Sequence, residues 1–247
     1  MFGAAVRDRV IGRTPCDGIR LPELPHAEHF IPSPGQVHAL AAALPDRFRA
    51  TVYVAAGCGL RLGEVLGLEV DHVDFLRREL RVVQQCNSLS SGAVFISAPK
   101  TRTSVRTVEL PSVVADALAG HLAENRASAV DVLDRTDPRN ERTRAAELIF
   151  RNSAGRPQHR GSWARFWSQA ARSVGLPAGA GFHTLRHYYA TLLIESGASV
   201  KTVQLALGHA SPSTTLDVYA GVWPDQLDRT RNLVDAALSC GQEVVAR

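Results

Sequence analysis

The sequence predicts an α+β fold that is mainly α-helical and contains a small three-stranded antiparallel sheet. Segments with helical periodicity, opened by capping residues or closed by glycine, lie on both sides of a block of short β-prone runs. The chain has 247 residues, 45% of them hydrophobic, which is enough for one large domain with its own core. It contains no 18-residue apolar run, and its first residues lack the apolar segment of a signal peptide. We therefore expect a cytoplasmic globular protein with no membrane association.

The N-terminal segment is expected to belong to a different unit from the rest of the chain. The stretch AAVRDRVIGRTPCDGIRLPELP predicts a short helix that runs into a proline-rich linker, with nothing in its own segment to pack against. We therefore interpret residues 1–24 as the remnant of an N-terminal domain and its linker. Residues 25–240 are expected to form the main domain, followed by a C-terminal tail at 241–247.

Three helices are predicted in the first part of the main domain. In SPGQVHALAAAL, Ser33 is the expected N-cap and Pro34 occupies the first helical position. A second helix, largely apolar and expected at the centre of the fold, begins at Asp46 and stops at the glycines of AGCG. A third, short helix follows in RLGEVLG and ends near Gly67.

The strands of the predicted sheet come next. The runs ELRVVQQ, GAVFISAP and RTVELP are short, β-prone and separated by turn residues. Leu80 and Val82 alternate with polar neighbours, as do Val108 and Leu110, which is typical of half-buried strands. We expect these runs to form one antiparallel sheet, which places Lys100 in the turn between its second and third strands.

Helices also account for most of the second half of the chain. An amphipathic helix is predicted at 112–125, and the charged segment 126–146 is predicted to be an exposed loop. The segment SWARFWSQAARSVGL predicts a helix capped by Ser162 and closed by Gly175, with its aromatic residues in the core. HTLRHYYATLLIESG predicts the next helix, which ends at Gly197.

Three further helices are predicted towards the C-terminus. Ser199 caps the first of them, SVKTVQLALG, and Gly208 ends it. The second starts with Ser211 as its N-cap and Pro212 at its first position. The third, DQLDRTRNLVDAALS, closes the main domain.

Positive charge is concentrated in two stretches, although the formal net charge is only +4. No acidic residue occurs between Glu79 and Glu109 or between Glu147 and Glu195, whereas basic residues recur in both stretches. A positive face with a polyanionic partner would explain this pattern, and a solvated basic surface explains it equally well. The four cysteines are far apart and form no CxxC pair, so we expect reduced thiols and no metal framework.

A basic cluster opens the helix of HTLRHYYAT. His183, Arg186 and His187 are spaced i, i+3 and i+4, so His183 and Arg186 share one helix face. Two histidines at this spacing occur in zinc sites, but here no acidic residue lies within several positions. An arginine fork and an imidazole on one face suit a phosphate better. We therefore expect an anion-binding site, with no metal and no cofactor.

Several motifs together resemble those of the tyrosine recombinases, the phage integrase family. They are HTLRH at 183–187, LGHAS at 207–211 and VYAGV at 218–222, preceded by GCGLRLGEVLGLEVDHVDF at 57–75. Each motif alone is weak, but their order and spacing are a specific combination, and the resemblance covers about residues 30–240. It implies a recombinase catalytic domain, with residues 1–24 as the remnant of the helical core-binding domain that usually precedes it.

The resemblance implies a reaction on double-stranded DNA. A tyrosine hydroxyl attacks a phosphodiester and leaves a 3′-phosphotyrosyl enzyme with a free 5′-hydroxyl, and a 5′-hydroxyl of a partner strand reverses the step. The matching residues are Arg61, Lys100, His183, Arg186, His209 and the nucleophile Tyr219, with Glu64 and His187 in supporting roles. The family works as a homotetramer on paired DNA sites and needs neither a metal nor a nucleotide cofactor.

Each of these residue types meets a requirement of that reaction. A phenol with a pKa near 10 is mostly protonated at neutral pH and needs help to attack. Arg61, Arg186 and His209 would stabilise the negative charge of the phosphorane. His183 would accept the tyrosine proton or bind the phosphate. Only two of the 28 lysine and arginine side chains are lysine, and Lys100 is the one whose turn could reach a leaving 5′-oxygen and donate a proton.

Other interpretations compete with an active recombinase. A truncated DNA-binding remnant of an integrase would bind DNA with little or no recombination activity. A helical DNA-binding regulator would explain the glycine between the short helices of SVKTVQLALGHASPSTTLDVY, but neither Arg61 nor Lys100. Tyr188 and Tyr189 are rival nucleophiles by residue type, although neither stands at the family's position. His187 is interpreted as a core histidine rather than a direct catalytic group.

Overall fold

The computed structural model describes residues 2–19, 29–89, 91–219 and 222–223. Within these residues the helices are α1 (Phe2–Arg7), α2 (Pro34–Ala43), α3 (Asp46–Cys58), α4 (Leu62–Leu66), α5 (Ser112–Glu124), α6 (Arg160–Ser173), α7 (Thr184–Glu195), α8 (Val200–Leu207) and α9 (Pro212–Tyr219). The strands are β1 (Val73–Asp74), β2 (Glu79–Val82), β3 (Gln85–Ser88), β4 (Val94–Ser97), β5 (Arg106–Glu109), β6 (Val130–Arg135) and β7 (Arg142–Ala146). This mainly helical arrangement with small sheets confirms the expected fold class.

Helix α3 lies at the centre of the fold, as its apolar sequence predicts. It packs against α2, α5 and α7, and its Phe48 and Val52 are fully buried. Asp46 in its first turn faces the positive end of the helix dipole. The helix ends where Gly59 adopts a left-handed conformation with φ 66°, which glycine reaches without strain. A Cβ at this position would clash with the ring of Tyr189, so the close approach of α7 also requires glycine.

The strands of the described residues form two sheets rather than one. β1, β2 and β5 make a three-stranded antiparallel sheet, in which Leu80 pairs with Val108. β3, β4, β6 and β7 make a four-stranded sheet, in which β4 and β6 run parallel. The predicted three-stranded antiparallel sheet is therefore present, but with different members. ELRVVQQ is divided between β2 and β3, and GAVFISAP contributes β4 to the second sheet.

The division between the sheets has a physical cause at Gln84. Its buried side-chain amide donates to the backbone carbonyl of Gly67 and to the carboxylate of Glu69, both at 2.7 Å. These hydrogen bonds anchor the link between β2 and β3 to the segment after α4. At this link the chain leaves the three-stranded sheet and enters the four-stranded one. Lys100 consequently lies on the connection from β4 to β5, which joins the two sheets, and not in a turn within one sheet as predicted.

The prediction of an exposed loop at 126–146 is wrong, because this segment contains the antiparallel hairpin of β6 and β7. Arg144 on β7 donates to Asp134 at 2.8 Å and to Glu69 at 2.5 and 3.0 Å. The charges that favour a loop in the sequence are therefore paired with one another in the structure. Val132 on β6 is buried in a small apolar cluster with Ile96, Ala146 and Leu148.

Helix α6 begins earlier than its sequence predicts. Its N-cap is His159, whose Nδ1 accepts from the backbone N–H of Gly161 at 3.0 Å, and not Ser162. The aromatic residues behave as expected, since Trp163 and Trp167 are buried in the main core. The indole N–H of Trp167 donates to the carbonyl of residue 180 at 2.8 Å and ties α6 to the segment before α7.

A second, smaller core joins the three C-terminal helices of the described region. It consists of Ala190 and Ile194 on α7, Val203 and Leu207 on α8, and Tyr219 on α9. The predicted capping of α8 by Ser199 and its end at Gly208 are confirmed. This core places α9 against α7, which brings the last predicted motif next to the HTLRH segment.

Some predictions fall beyond the described residues. The predicted helix DQLDRTRNLVDAALS and the tail at 241–247 lie outside them. In the N-terminal segment, the structure describes residues 2–19, where α1 buries none of its residues. No described helix is both long enough and apolar enough to cross a membrane.

Candidate active site

Arg61 is the N-cap residue of α4, two residues after the end cap of α3. Its Nη1 donates to Glu64 Oε1 at 2.8 Å, and its backbone N–H donates to Glu64 Oε2 at 2.9 Å. The Glu64 side chain is 2% exposed, whereas that of Arg61 is 37% exposed. The buried carboxylate therefore fixes the direction of Arg61 and leaves part of its guanidinium accessible to a ligand.

Arg106 on β5 holds the other side of the Glu64 carboxylate. Its Nη1 and Nη2 donate to the two carboxylate oxygens at 3.3 and 3.1 Å, and its Nε donates to the carbonyl of Ala206 at 2.9 Å. Sequence reasoning missed Arg106, which appears there only as one arginine of a basic stretch. The one signal in the sequence was its place in the acid-free stretch between Glu79 and Glu109, and the need of the buried Glu64 for a second partner is visible only in the structure.

Arg186 is in the first turn of α7 and is 1% exposed. Its Nη1 donates to the carbonyl of Gly59 and its Nη2 to the carbonyl of Leu207, each at 2.6 Å. These carbonyls belong to the C-terminal ends of α3 and α8, where the helix dipoles favour a cation. Burial lowers the pKa of Arg186, and the nearby charge of Arg61 lowers it further. A single side chain thus joins two helix ends beside Arg61.

His209 directly follows Gly208, whose left-handed φ of 67° ends α8. Its Nδ1 lies 2.9 Å from the hydroxyl of Thr215 on α9, and its backbone N–H donates to the carbonyl of Gln204 at 3.0 Å. Its ring is therefore held by one helix and its backbone by another. A Cβ on Gly208 would stand 2.9 Å from the carbonyl oxygen of Thr103, so the connection that carries Lys100 packs against this helix end.

Tyr219 ends α9 and is only 2% exposed. Its hydroxyl lies 2.8 Å from Nδ1 of His187, and the two rings meet at 62° with 5.5 Å between centroids. Burial raises the pKa of Tyr219 to about 12, against the opposing charges of Arg186 and Arg61. His187 is buried, as expected, but its bond to Tyr219 was not foreseen. His187 and Tyr219 are 32 residues apart in the sequence, and they meet because α7 and α9 share the smaller core.

The histidines of the site are uncharged at neutral pH. Burial and the charge of Arg186 lower the pKa of His209 to about 4. His183 is more exposed, but desolvation by the groups packed around it and the charge of Arg186 lower its pKa to about 4 as well. Burial and the neighbouring His183 lower the pKa of His187 to about 3. The positive charge of the site is therefore carried by arginine. A bound anion would favour protonation of the imidazoles, since an opposite charge raises the pKa of a base.

Lys100 is exposed on the connection between β4 and β5. Among the described residues, its ammonium group has no hydrogen-bond or ion-pair partner. The connection itself is held by bonds between hydroxyl groups, with Thr101 Oγ1 lying 2.8 Å from Ser104 Oγ and 3.1 Å from Thr103 Oγ1. The structure therefore brings the backbone of this connection close to Gly208, next to His209, and leaves the Lys100 side chain in solvent.

An open cleft of about 840 Å³ adjoins Arg61 and His183. Its walls include Asn87 on β3 and, on α6, Arg160 and Arg172. The cleft thus combines the exposed edge of the arginine and histidine cluster with further basic and amide side chains. Such a lining suits an extended anion.

The rival tyrosines are placed differently from Tyr219. Tyr188 packs against the main core, and Tyr189 lies half-buried against Gly59 and the smaller core. Burial raises the pKa of Tyr189 to about 12. Of these three tyrosines, Tyr219 is the one whose hydroxyl is bonded to a histidine of the HTLRH motif.

The fold has counterparts among solved structures. The Tn1549 transposon integrase in complex with transposon right end DNA superposes with a TM-score of 0.73, at 21% identity, covering 96% of this chain and 75% of that one. The catalytic domain of bacteriophage HP1 integrase superposes with a TM-score of 0.51 at 16% identity, covering 85% of this chain and 98% of that one. At these identities the likeness establishes the fold alone.

Sequence comparison identifies the family. A tyrosine recombinase XerC-like protein of Caldanaerobacter subterraneus subsp. tengcongensis is 29% identical over 251 residues, and the ICEBs1 integrase of Bacillus subtilis is 25% identical over 241 residues. These alignments cover 91% and 96% of this chain but 60% and 63% of the relatives, so the chain spans less than two thirds of their length. The family model described as "Phage integrase family" matches residues 33–224, which is most of the chain. The protein therefore belongs to the phage integrase family, whose members are the tyrosine recombinases.

Proposed function

We propose that this protein is a site-specific DNA recombinase that cleaves and rejoins strands through a 3′-phosphotyrosyl intermediate. The observation that carries the proposal is the hydrogen bond between Tyr219 Oη and His187 Nδ1, which lies beside Arg61 and Arg186. A tyrosine hydroxyl with a neutral imidazole at 2.8 Å and two arginines nearby has the groups that an attack on a phosphodiester needs.

In the proposed reaction, Tyr219 Oη bonds to phosphorus while the bond from phosphorus to the 5′-oxygen breaks. The tyrosine proton passes to a neutral histidine, either His187, which is already bonded to the hydroxyl, or His183. The 5′-oxygen leaves with a proton donated by Lys100. A 5′-hydroxyl of a partner strand then attacks the phosphotyrosine, and the same groups act in reverse.

We assign the stabilisation of the negative charge on the phosphorane to Arg61, Arg186 and His209. The exposed part of Arg61 and the position of His209 at a helix end suit phosphate ligands. Glu64 supports them by orienting Arg61. Losing one such donor typically costs about 2.7–4 kcal/mol of transition-state stabilisation.

The proposed reaction requires the buried hydroxyl of Tyr219 to become accessible to a phosphate while its hydrogen bond to His187 is kept. At 2% exposure its hydroxyl does not meet a DNA backbone. Helix α9 starts afresh at Ser211 and Pro212, so it could shift while α8 and the backbone of His209 stay in place, with the contact between the His209 ring and Thr215 changing as it moves. Hydrogen exchange that is faster in α9 than in α8 would support this motion, and equal protection would argue against it.

The proposed partner is double-stranded DNA, and the proposed assembly is a homotetramer on paired sites in the cytoplasm. The basic cleft beside Arg61 and the DNA complex of the similar Tn1549 integrase support the DNA assignment. We further propose that residues 1–24 are the remnant of a core-binding domain and its linker, and that residues 25–240 form the catalytic domain. The chain spans less than two thirds of these relatives' length, so recombination between two sites is a proposal for the tetramer on paired sites.

A nicked suicide DNA substrate tests the reaction. The protein is expected to form a covalent adduct with its target DNA, and Tyr219→Phe is expected to form none. Tyr189→Phe is the matched control, since it removes a half-buried hydroxyl from the same core. An adduct that survives Tyr219→Phe would overturn the assignment of the nucleophile.

The alternative of a DNA-binding remnant predicts a different result in the same experiment. DNA would be bound with a steep dependence on salt, as expected for several phosphate contacts, but no adduct would form on a validated target. That outcome would reject the catalytic proposal and keep the DNA-binding one.

A further inference from the structure

A contact chain runs from the segment before α2 to Tyr219. His29 lies in that segment, outside residues 33–224 matched by the family model. Its ring stacks on that of His187, with 4.1 Å between centroids and 15° between planes. His187 in turn is bonded to the hydroxyl of Tyr219 at 2.8 Å. A residue that the family motifs do not include is therefore one side chain away from the proposed nucleophile.

The imidazole of His187 is enclosed on several sides. His29 covers one face, and the ring of His183 meets it edge-on at 4.8 Å and 84°. Tyr219 approaches from another direction, at 5.5 Å between centroids. Terminal torsions of histidine rotate over a broad well, so the direction of Nδ1 depends on the groups around the ring. The flat stack with His29 opposes rotation about that torsion.

The partner ring is itself anchored through its neighbour in the chain. Phe30 packs against the main core, which ties the segment next to His29 to the body of the domain. His29 remains exposed at its outer side. Since His29 is exposed and stacks flat on the buried His187, its contact acts on that ring, and His29 does not belong to the buried core.

We propose that His29 is a positioning residue for the nucleophile, which holds Nδ1 of His187 towards Tyr219 Oη by stacking on the imidazole. This inference rests on the proposed function, in which Tyr219 attacks DNA. Correct alignment of the Tyr219 hydroxyl then requires the segment before α2 to be packed against the domain. The N-terminal side of the domain thereby affects the reaction through one aromatic contact, the stack of His29 on His187.

Three variants of the full chain test the positioning role. His29→Ala removes the stack, and His29→Phe keeps a flat ring without imidazole nitrogens. His38→Ala is the matched control, because His38 is another exposed histidine whose partner is Tyr53, away from Tyr219. For each variant, the rate of adduct formation at saturating suicide substrate and the dissociation constant for the same DNA are measured separately.

We expect His29→Ala to slow adduct formation about two- to tenfold at saturating DNA, the range that one aromatic contact supports. His29→Phe should restore the rate to within about twofold, and His38→Ala should leave it unchanged. A loss of affinity with an unchanged rate would show that His29 contacts DNA instead, and would overturn the proposal. So would a slow rate in His29→Phe that equals that of His29→Ala.

Nitrogen NMR of the His187 imidazole provides a readout that does not depend on activity. With Nδ1 accepting from Tyr219, the tautomer protonated at Nε2 should dominate in the wild type and in His29→Phe. His29→Ala should shift both nitrogen signals towards the average of the two tautomers. Unchanged signals would overturn the inference even if the wild type forms adducts. If the wild type forms none, the proposed function fails, and the NMR comparison alone decides the positioning role.

Discussion

Glu64 and Arg106 form a buried two-point ion pair across 42 residues of sequence, with contacts of 3.3 and 3.1 Å. The side chains are 2% and 6% exposed. Their pairing lowers the pKa of Glu64 against the opposing effect of burial. Because Glu64 also holds Arg61, the orientation of an exposed cation in the site depends on a buried anion and on a second, buried cation.

The first prediction concerns this pair. Arg106→Ala should lower the free energy of unfolding by about 3–5 kcal/mol, because it leaves a carboxylate buried without its main partner. Urea unfolding measures the change. Arg49→Ala is the control, since Arg49 pairs with Asp46 at the surface and should cost less than about 1 kcal/mol. Equal losses in the two variants would contradict a special role for the buried pair.

The second prediction concerns pH. Histidine in an unfolded chain has a pKa of about 6.5, whereas the pKa of His187 in the fold is about 3. Below pH 6.5 the unfolded state therefore binds more protons than the folded state. The free energy of unfolding should fall as the pH falls from about 6.5 towards about 3. Between pH 6.5 and 5 the loss from His187 alone is of the order of 1–2 kcal/mol.

Thermal unfolding between pH 7 and 5 measures this dependence. Replacing His187 by Asn should flatten the curve in that range, although it also lowers stability at pH 7. His38→Gln is the control and should keep the wild-type slope, since His38 is exposed. A slope that is the same in the His187 variant as in the wild type would refute the assignment.

The third prediction separates arginine from lysine at position 186. Lysine cannot reach the carbonyls of Gly59 and Leu207 at once, because it carries a single point charge where arginine carries a planar fork. Arg186→Lys should therefore slow adduct formation about 100- to 1000-fold while DNA affinity changes little. Arg172→Lys, on the wall of the cleft, should change the rate less than tenfold. A near wild-type rate in Arg186→Lys would contradict the prediction.

The fourth prediction concerns the glycine before His209. Gly208→Ala places a methyl group 2.9 Å from the carbonyl oxygen of Thr103 at a φ of 67°. Gly197→Ala has a φ of 87° and no atom within 4 Å, so it reports the backbone strain alone. We expect about 1–2 kcal/mol for the strain, and about 1–3 kcal/mol more at Gly208 from overpacking. Equal losses in urea unfolding would mean that the contact with the Lys100 connection yields without cost.

The part of the site that the sequence predicts is local or lies in short motifs. Arg61 and Glu64 are three residues apart at a helix start, so their pairing follows from spacing. His183 and Arg186 are placed by the same rule on α7. Their arrangement relative to one another depends on α3, α7 and α8 meeting at Arg186, and this follows from packing that no local pattern encodes.

Long-range pairs account for what the sequence did not predict. The charged hairpin at 126–146 has the composition of a loop because Arg144, which pairs with the buried Asp134, also depends on Glu69, 75 residues away along the chain. Arg106 is invisible as a site residue for the same reason. The bend at Gln84 depends on acceptors 15 and 17 residues away. In each case the partner that makes a polar residue acceptable in a strand or core is far along the chain.

The parallel pairing of β4 with β6 has a consequence for how the chain folds. Between these two strands the chain leaves to place β5 against β2 and to form α5, and only then returns. The strands of the two sheets therefore alternate along the chain, and the four-stranded sheet is completed after the three-stranded one has received its last strand. Neither sheet is one continuous stretch of chain, and the connection that bears Lys100 is one of the places where the chain passes from one sheet to the other. We expect this closure to be a late event in folding, since parallel pairs with a long crossover form slowly.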